Sequence, residues 1–132
     1  MGKMIDMHSH ILWDVDDGPK KLEETMQLLE YAVKEGITQL ISTSHSNHPY
    51  YNVNYPIIKN KINLLQQMIL EHRIPLTIHT GHEVRLSENI LSNYQSKEIH
   101  TLANSNYLLI ELPSNTVPLY TENIIRNLLQ EG

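Results

Sequence analysis

The chain has 132 residues, 40% of them apolar, and a net charge of −5 at pH 7, which suits one ordinary globular domain and not a disordered segment. The acidic balance and the lack of any basic cluster argue against broad nucleic-acid binding, but a small phosphorylated substrate stays open because cations can supply local positive charge. With no cysteine, disulfides and thiolate ligands are excluded. No signal-peptide pattern is visible and no stretch approaches the ~20 apolar residues of a spanning helix, so no membrane insertion is expected and the cytoplasm is the expected compartment.

Met4 to Met7 reads as a short buried strand that ends at His8. Leu22, Met26, Leu29 and Val33 recur with helical spacing and form one apolar face. Gly36 sits where a residue just past a helix C-terminus is expected. Ile37 to Thr43 reads as the second strand, with His45 close behind it. Pro49 and a run of Tyr and Asn mark a loop. Ile58, Ile62, Leu65 and Ile69 repeat the helical spacing. Leu76 to Thr80 reads as the third strand, broken by Gly81. Ser87 can cap a short helix that runs to about Tyr94. Tyr107 to Leu112 reads as the fourth strand, closed by Pro113. Thr121 opens a last helix carrying Ile124, Ile125, Leu128 and Leu129. This alternation predicts an α/β fold, a mainly parallel (β/α) array with right-handed crossovers. No linker, repeat or low-complexity tract is present, so residues 1–132 read as one domain.

The chemistry-bearing residues fall at strand ends. His8 and His10 follow the first strand, His45 the second and Glu83 the third, while Glu111 closes the fourth. Carboxyl ends of parallel strands share one face, and that face holds the chemistry in (β/α) proteins. His8-Ser9-His10 puts two imidazoles on one side of an extended segment, within reach of one metal. Asp14, Asp16 and Asp17 follow in a turn. They can ligate a divalent ion together with imidazole, or they can act as turn and capping residues. Glu111 interrupts an apolar strand, where an unpaired carboxylate is costly, so a metal or a cation is its natural partner. Arg85 can pair with Glu83 or contact an anionic substrate. His48, beside Pro49, reads as a loop residue. His82 is expected to point away from Glu83. His72, His79 and His100 read as structural or surface residues. The pattern as a whole points to a metallohydrolase.

The segments MIDMHSHILWDVDDGPK, STSH, GHEVR and LIELPSN, in that order, resemble the PHP (polymerase and histidinol phosphatase) superfamily. Within it the chain is similar to the bacterial capsule and exopolysaccharide tyrosine phosphatases of the CpsB/CapC family. The resemblance implies about half of a distorted (β/α)7 TIM-like barrel with up to three divalent ions. Mn²⁺ is the expected metal, with Fe, Mg²⁺ or Zn²⁺ as alternatives. It implies that His8 and His10 serve the first ion and that Glu83 bridges the first and second. It further assigns Glu111 to the second ion and Asp17 and His45 to the third. Activity would be phosphotyrosine hydrolysis by a metal-bound hydroxide, on a protein substrate such as a bacterial tyrosine kinase tail.

Such family members are longer. Their later strands supply two further histidines, a closing Asp-x-His and arginines near the phosphate, none of which has a counterpart here. The sequence therefore reads as an N-terminal half, with low activity expected from it alone. A half-barrel with open edges is also expected to self-associate. The alternatives from other classes are another PHP phosphoesterase, acting on a small phosphate ester or a nucleic-acid end, and a non-catalytic half-barrel. Amidohydrolases share the opening H-x-H, but the Asp-Asp-Gly-Pro and Glu-Leu-Pro-Ser-Asn context does not point to them.

Overall fold

Four parallel strands lie side by side in the order in which the chain makes them. The computed structural model describes residues 3–131. The strands are β1 (Met4–Ser9), β2 (Ile37–Ser46), β3 (Thr77–Arg85) and β4 (Leu109–Glu111). Helix α1 (Leu22–Lys34) connects β1 to β2, and α2 (Tyr55–Glu71) connects β2 to β3. A short helix α3 (Ile90–Gln95) and a 3₁₀ turn (Leu102–Asn104) connect β3 to β4, and α4 (Thr121–Gln130) follows. Sequential strand order with one crossover hand puts the α-helical connections on the same side of the sheet, while Leu102 of the 3₁₀ turn packs against Gly81 and Ile41. The opposite side is left concave, as in a barrel cut in half. The expected half-barrel is the observed fold.

Strand periodicity sorts the side chains between these two sides. Leu40 of β2 and Ile78 of β3 join Leu29 of α1 and Ile58, Ile62, Leu65 and Ile69 of α2 in one core cluster. Val84 joins Leu86, Ile90, Ile99 and Ile124 in a second cluster, with Ile110 of β4 packed against it. These residues fix the even positions of β2, β3 and β4 toward the helices. The odd positions, among them His45, Glu83 and Glu111, therefore face the concave side.

The helices begin and end for local reasons. Gly36 has φ 92°, a left-handed conformation that glycine adopts freely and that stops α1 just past its C-cap, Glu35. Pro56 enters α2 in its first turn, where a missing N–H costs nothing. The α4 face divides: Ile124 is buried, whereas Ile125 and Leu129 are exposed.

Several details differ from the sequence reading. β1 and β2 run on to Ser9 and Ser46, and β1 is not buried: as an edge strand it leaves Met4, Ile5 and Met7 exposed. Gly81 does not break β3, which runs through it to Arg85. A Cβ there would meet Ile41 and Leu102 side-chain atoms at 3.1 and 3.2 Å, so this glycine allows close packing and not a turn. The strand around Glu111 is only Leu109–Glu111. Tyr107 is instead drawn into the preceding loop, where its carbonyl accepts the Leu102 N–H at 2.8 Å. Ser87 does not cap α3; the N-cap is Asn89, whose N–H bonds the Ser87 hydroxyl. Among the described residues, no helix is long and apolar enough to cross a membrane.

Candidate metal centre

The concave side gathers the predicted residues at the carboxyl ends of the strands. His8 Nε2 lies 3.1 Å from Glu83 Oε2, and His10 Nε2 lies 2.8 Å from Glu83 Oε1. The other nitrogen of His10 faces two acids, Asp17 Oδ1 at 3.1 Å and Asp16 Oδ2 at 3.4 Å. His45 Nε2 meets Asp17 Oδ1 at 3.2 Å. Its Nδ1 lies 3.4 Å from Glu83 Oε1 and 3.9 Å from Glu111 Oε2.

Ligand-type atoms fall into three sets, each within 4.8 Å: His10, Asp16, Asp17 and His45; His8, His10 and Glu83; and His45, His48 and Glu111. Every residue the sequence singled out as a ligand, His8, His10, Asp17, His45, Glu83 and Glu111, belongs to at least one set. Asp14 belongs to none; it is exposed and has φ 55°.

Asp16 is the residue the sequence reading underrated. It is buried, and its carboxylate accepts the Gly18 N–H at 3.0 Å and the His45 N–H at 3.0 Å. It therefore ties the acidic turn to the end of β2 while facing His10. The turn itself is anchored from below. The buried Thr25 hydroxyl donates to Ile11 O at 2.6 Å, and Lys61 Nζ donates to Trp13 O at 2.6 Å. The signal available in sequence was only the Asp-x-Asp-Asp-Gly-Pro turn, which cannot say which acid folds inward.

His48 reaches the third set, with its ring centroid 4.5 Å from that of His45. Its bonding limits it, however. The Tyr50 N–H donates to His48 Nδ1 at 3.1 Å, which leaves the ring proton on Nε2. In this arrangement His48 offers a donor to an anion and no lone pair to a cation, so it remains outside the ligand assignment.

His82 points away from Glu83 as expected. It is fully buried on the helix side, its Nε2–H donates to Val53 O at 3.0 Å, and its Nδ1 accepts the His100 N–H at 3.1 Å. Burial keeps it neutral and pushes its pKa down to about 4. His72 bonds Met68 O and His79 faces Gln39, both on exposed sites away from the cluster. Arg85 pairs with Glu111 Oε1 at 3.1 Å and not with Glu83.

The electrostatics are those of a cation site. The hydrogen bond to Asp16, opposed by burial and helped by Asp17 and Glu83, raises His10 to about 9. Asp17 is the nearer acid, but Asp16 is buried and its charge is screened less. Burial pushes the Asp16 carboxyl up, yet hydrogen bonds from His10, His45 and Gly18 more than offset it and hold the group below the ordinary range. Asp17 is held low by the same histidines. His45 Nδ1 is buried and has no hydrogen-bond partner among the described residues. A buried ring nitrogen without a hydrogen bond, beside two carboxylates, fits coordination of a cation. Imidazoles and carboxylates without sulfur suit Mn²⁺, Fe²⁺, Mg²⁺ or Zn²⁺, so the residues fit a divalent metal.

The sequence profile of the capsular polysaccharide synthesis CpsB/CapC family matches residues 4–132. The chain belongs to that family. Over 129 residues it is 38% identical to CapC of Staphylococcus aureus, covering 98% of this chain and 51% of that one. It is 34% identical to the tyrosine-protein phosphatase CpsB of Streptococcus pneumoniae, covering 98% and 53%. It is 30% identical to the tyrosine-protein phosphatase YwqE of Bacillus subtilis, covering 98% and 51%. The chain thus spans about half the length of these relatives. A solved structure from the work on YwqE and CpsB, described there as metal-dependent tyrosine phosphatases, superposes with a TM-score of 0.93 at 29% identity, over 98% of this chain and 52% of the other.

Proposed function

We propose that this chain carries a divalent-metal centre of a protein-tyrosine phosphatase that acts in capsule synthesis. The observation that carries the proposal is the convergence of His8, His10, Asp16, Asp17, His45, Glu83 and Glu111 from four strand ends and one turn onto a single concave face. The names and described metal dependence of CpsB and YwqE support it.

His8, His10 and Glu83 would hold one ion, Glu83 and Glu111 a second, and His45 with Asp17, Asp16 beside them, a third. We take Mn²⁺ as the ion expected in use. A divalent metal bound here supplies positive charge to phosphate oxygens and activates water for attack on phosphorus. The chain's own residues supply the rest. Glu83 fixes His8 and His10 in one orientation. Asp16 fixes the His45 backbone and the acidic turn. Arg85 holds Glu111 in place. A phosphotyrosine side chain on a protein, such as the tail of a tyrosine kinase, is the substrate class. None of these 132 residues is a cysteine, so none of them can carry a phosphocysteine intermediate.

The test is elemental analysis after dialysis against Mn²⁺, run beside a His8→Ala/His10→Ala chain, together with phosphate release from a phosphotyrosine peptide. We expect bound metal in the parent and much less in the double variant. Turnover is expected to be slow, because this half of the relatives' length contributes only part of the arginine and histidine complement of the family site. Equal metal in the two proteins would remove the histidine pair from the centre and overturn the proposal.

A further inference from the structure

The loop between β2 and α2 sets aromatic rings along the rim of the centre. It is a built loop. Asn47 turns the chain with φ 61°, and its N–H donates to Asn52 Oδ1 at 3.1 Å. The Tyr50 N–H is held by His48, and the Val53 N–H donates to His45 O at 2.9 Å. Val53 is buried and its carbonyl is bound by His82. Both ends of the loop are therefore pinned to the strands that carry the centre.

The two tyrosines of this loop are used differently. Tyr51 is partly buried and stacks on His45, with centroids 5.8 Å apart and planes 18° apart. One face of its ring is spent on holding a candidate ligand. Tyr50 is 85% exposed and its ring centroid lies 5.8 Å from that of His48. His48 in turn lies 4.5 Å from His45. Tyr50 thus stands one ring beyond the cluster, on an ordered backbone, with its ring largely free. Aromatic pairs engage with centroids about 4.5–7 Å apart, so a second ring bound against Tyr50 would lie beside the His48 Nε2–H and the acid-rich centre.

We propose that Tyr50 is a specificity-determining wall: its ring takes the aryl group of an aryl phosphate monoester whose phosphate enters the metal centre. This deepens the reading above and rests on it. An alkyl phosphate, such as phosphoserine, can reach the metals but leaves the Tyr50 ring uncovered. The same arrangement gives His48 a role as a hydrogen-bond donor to a phosphate oxygen at the boundary between the two subsites.

The test measures binding by calorimetry on the Mn²⁺-loaded full chain, with phosphotyrosine, phosphoserine and inorganic phosphate as probes. The proteins are the parent, Tyr50→Ala and Tyr50→Phe. We expect the parent to prefer phosphotyrosine over phosphoserine. We expect Tyr50→Ala to lose roughly 3- to 10-fold in phosphotyrosine affinity, the size of one aromatic pair. Phosphoserine, inorganic phosphate and Mn²⁺ should bind all three proteins alike, and Tyr50→Phe should keep the preference. Unchanged phosphotyrosine affinity in Tyr50→Ala, or an equal loss for all three probes, overturns the wall. Failure of the metal-loaded parent to bind inorganic phosphate instead overturns the underlying phosphatase reading, and the wall falls with it.

Discussion

His45 and Glu83 are register partners on neighbouring parallel strands, and their side chains approach to 3.4 Å on the concave side of the sheet. Strand pairing, and not loop conformation, therefore sets the central distance of the candidate centre. Glu83 also meets His8 at the end of β1 and His10 just beyond it, so one carboxylate touches histidines carried by both neighbouring strands. Replacing it by Gln keeps the shape and removes the charge. We expect Glu83→Gln to weaken Mn²⁺ binding by at least about 100-fold, since even outer-shell losses cost 10- to 100-fold. A metal titration followed by calorimetry, with circular dichroism confirming an intact fold, checks this.

Asp16 couples stability to the site. Its two oxygens take the N–H groups of Gly18 and His45 inside the fold. In Asp16→Asn one oxygen becomes an NH₂ donor facing a donor, which leaves a buried N–H unpaired. The expected cost is about 1–3 kcal/mol in chemical denaturation without metal, together with weaker Mn²⁺ uptake. Asp14→Asn changes an exposed side chain outside the cluster and should do neither.

Gly18 makes a prediction that removes no ligand. A Cβ at this position would sit 2.5 Å from the His10 carbonyl oxygen, a backbone atom that cannot rotate away. Gly18→Ala must push the acidic turn off β1 and carry Asp16 and Asp17 with it. We expect about 1–3 kcal/mol of destabilisation and at least about tenfold weaker Mn²⁺ binding, read by thermal melts and calorimetry. An alanine chain with parental metal affinity would show that the turn is not part of the centre.

Metal removal supplies a further check. An ion that binds the folded chain and not the unfolded one stabilises it by about 2.7 kcal/mol at 100 times its Kd. For a domain of this size that is a rise in Tm of roughly 10 °C. Mn²⁺ should produce this shift in the parent, EDTA should reverse it, and His8→Ala/His10→Ala should show little of it.

Much of this architecture was legible because burial and chemistry obey the same period. In the third strand the apolar residues Ile78 and Val84 fix the even positions toward the helices, and Glu83 falls on the other parity; in the second strand Leu40 alone marks the helix side, and pairing with the third strand puts His45 beside Glu83. The same parity explains why His82 turns inward among apolar neighbours while Glu83 faces the site. What could not be read arises where no period operates. The acidic turn offers three aspartates, and only the tertiary bonds to the Gly18 and His45 N–H groups select Asp16 as the buried one. Gly81 read as a breaker because sequence cannot show that Leu102 and Ile41 crowd its missing side chain. The aromatic rim was hidden for a similar reason: Tyr50 and Tyr51 are adjacent in sequence, but only one of them covers His45.

Self-association is the last expectation. Among the described residues β1 pairs with β2 alone and β4 with β3 alone, so both outer edges of the sheet are open. Ile5 and Met7 are more than half exposed on the first edge, and Tyr107 and Leu129 are 75% exposed beside the second. Open edges flanked by apolar side chains favour pairing with another chain. Two copies bring about eight strands together, the number that closes a small barrel. Two-fold pairing over these edges is the outcome the exposed strands lead us to expect. A second copy repeats the ligands already present and adds none of a different kind, so dimer formation and metal affinity should vary independently. Light scattering over a dilution series should show dimer giving way to monomer. Ile5→Lys or Leu129→Lys should shift that balance toward monomer while Mn²⁺ binding stays unchanged. A parent chain that is monomeric at every concentration would show that the half-barrel tolerates its own edges.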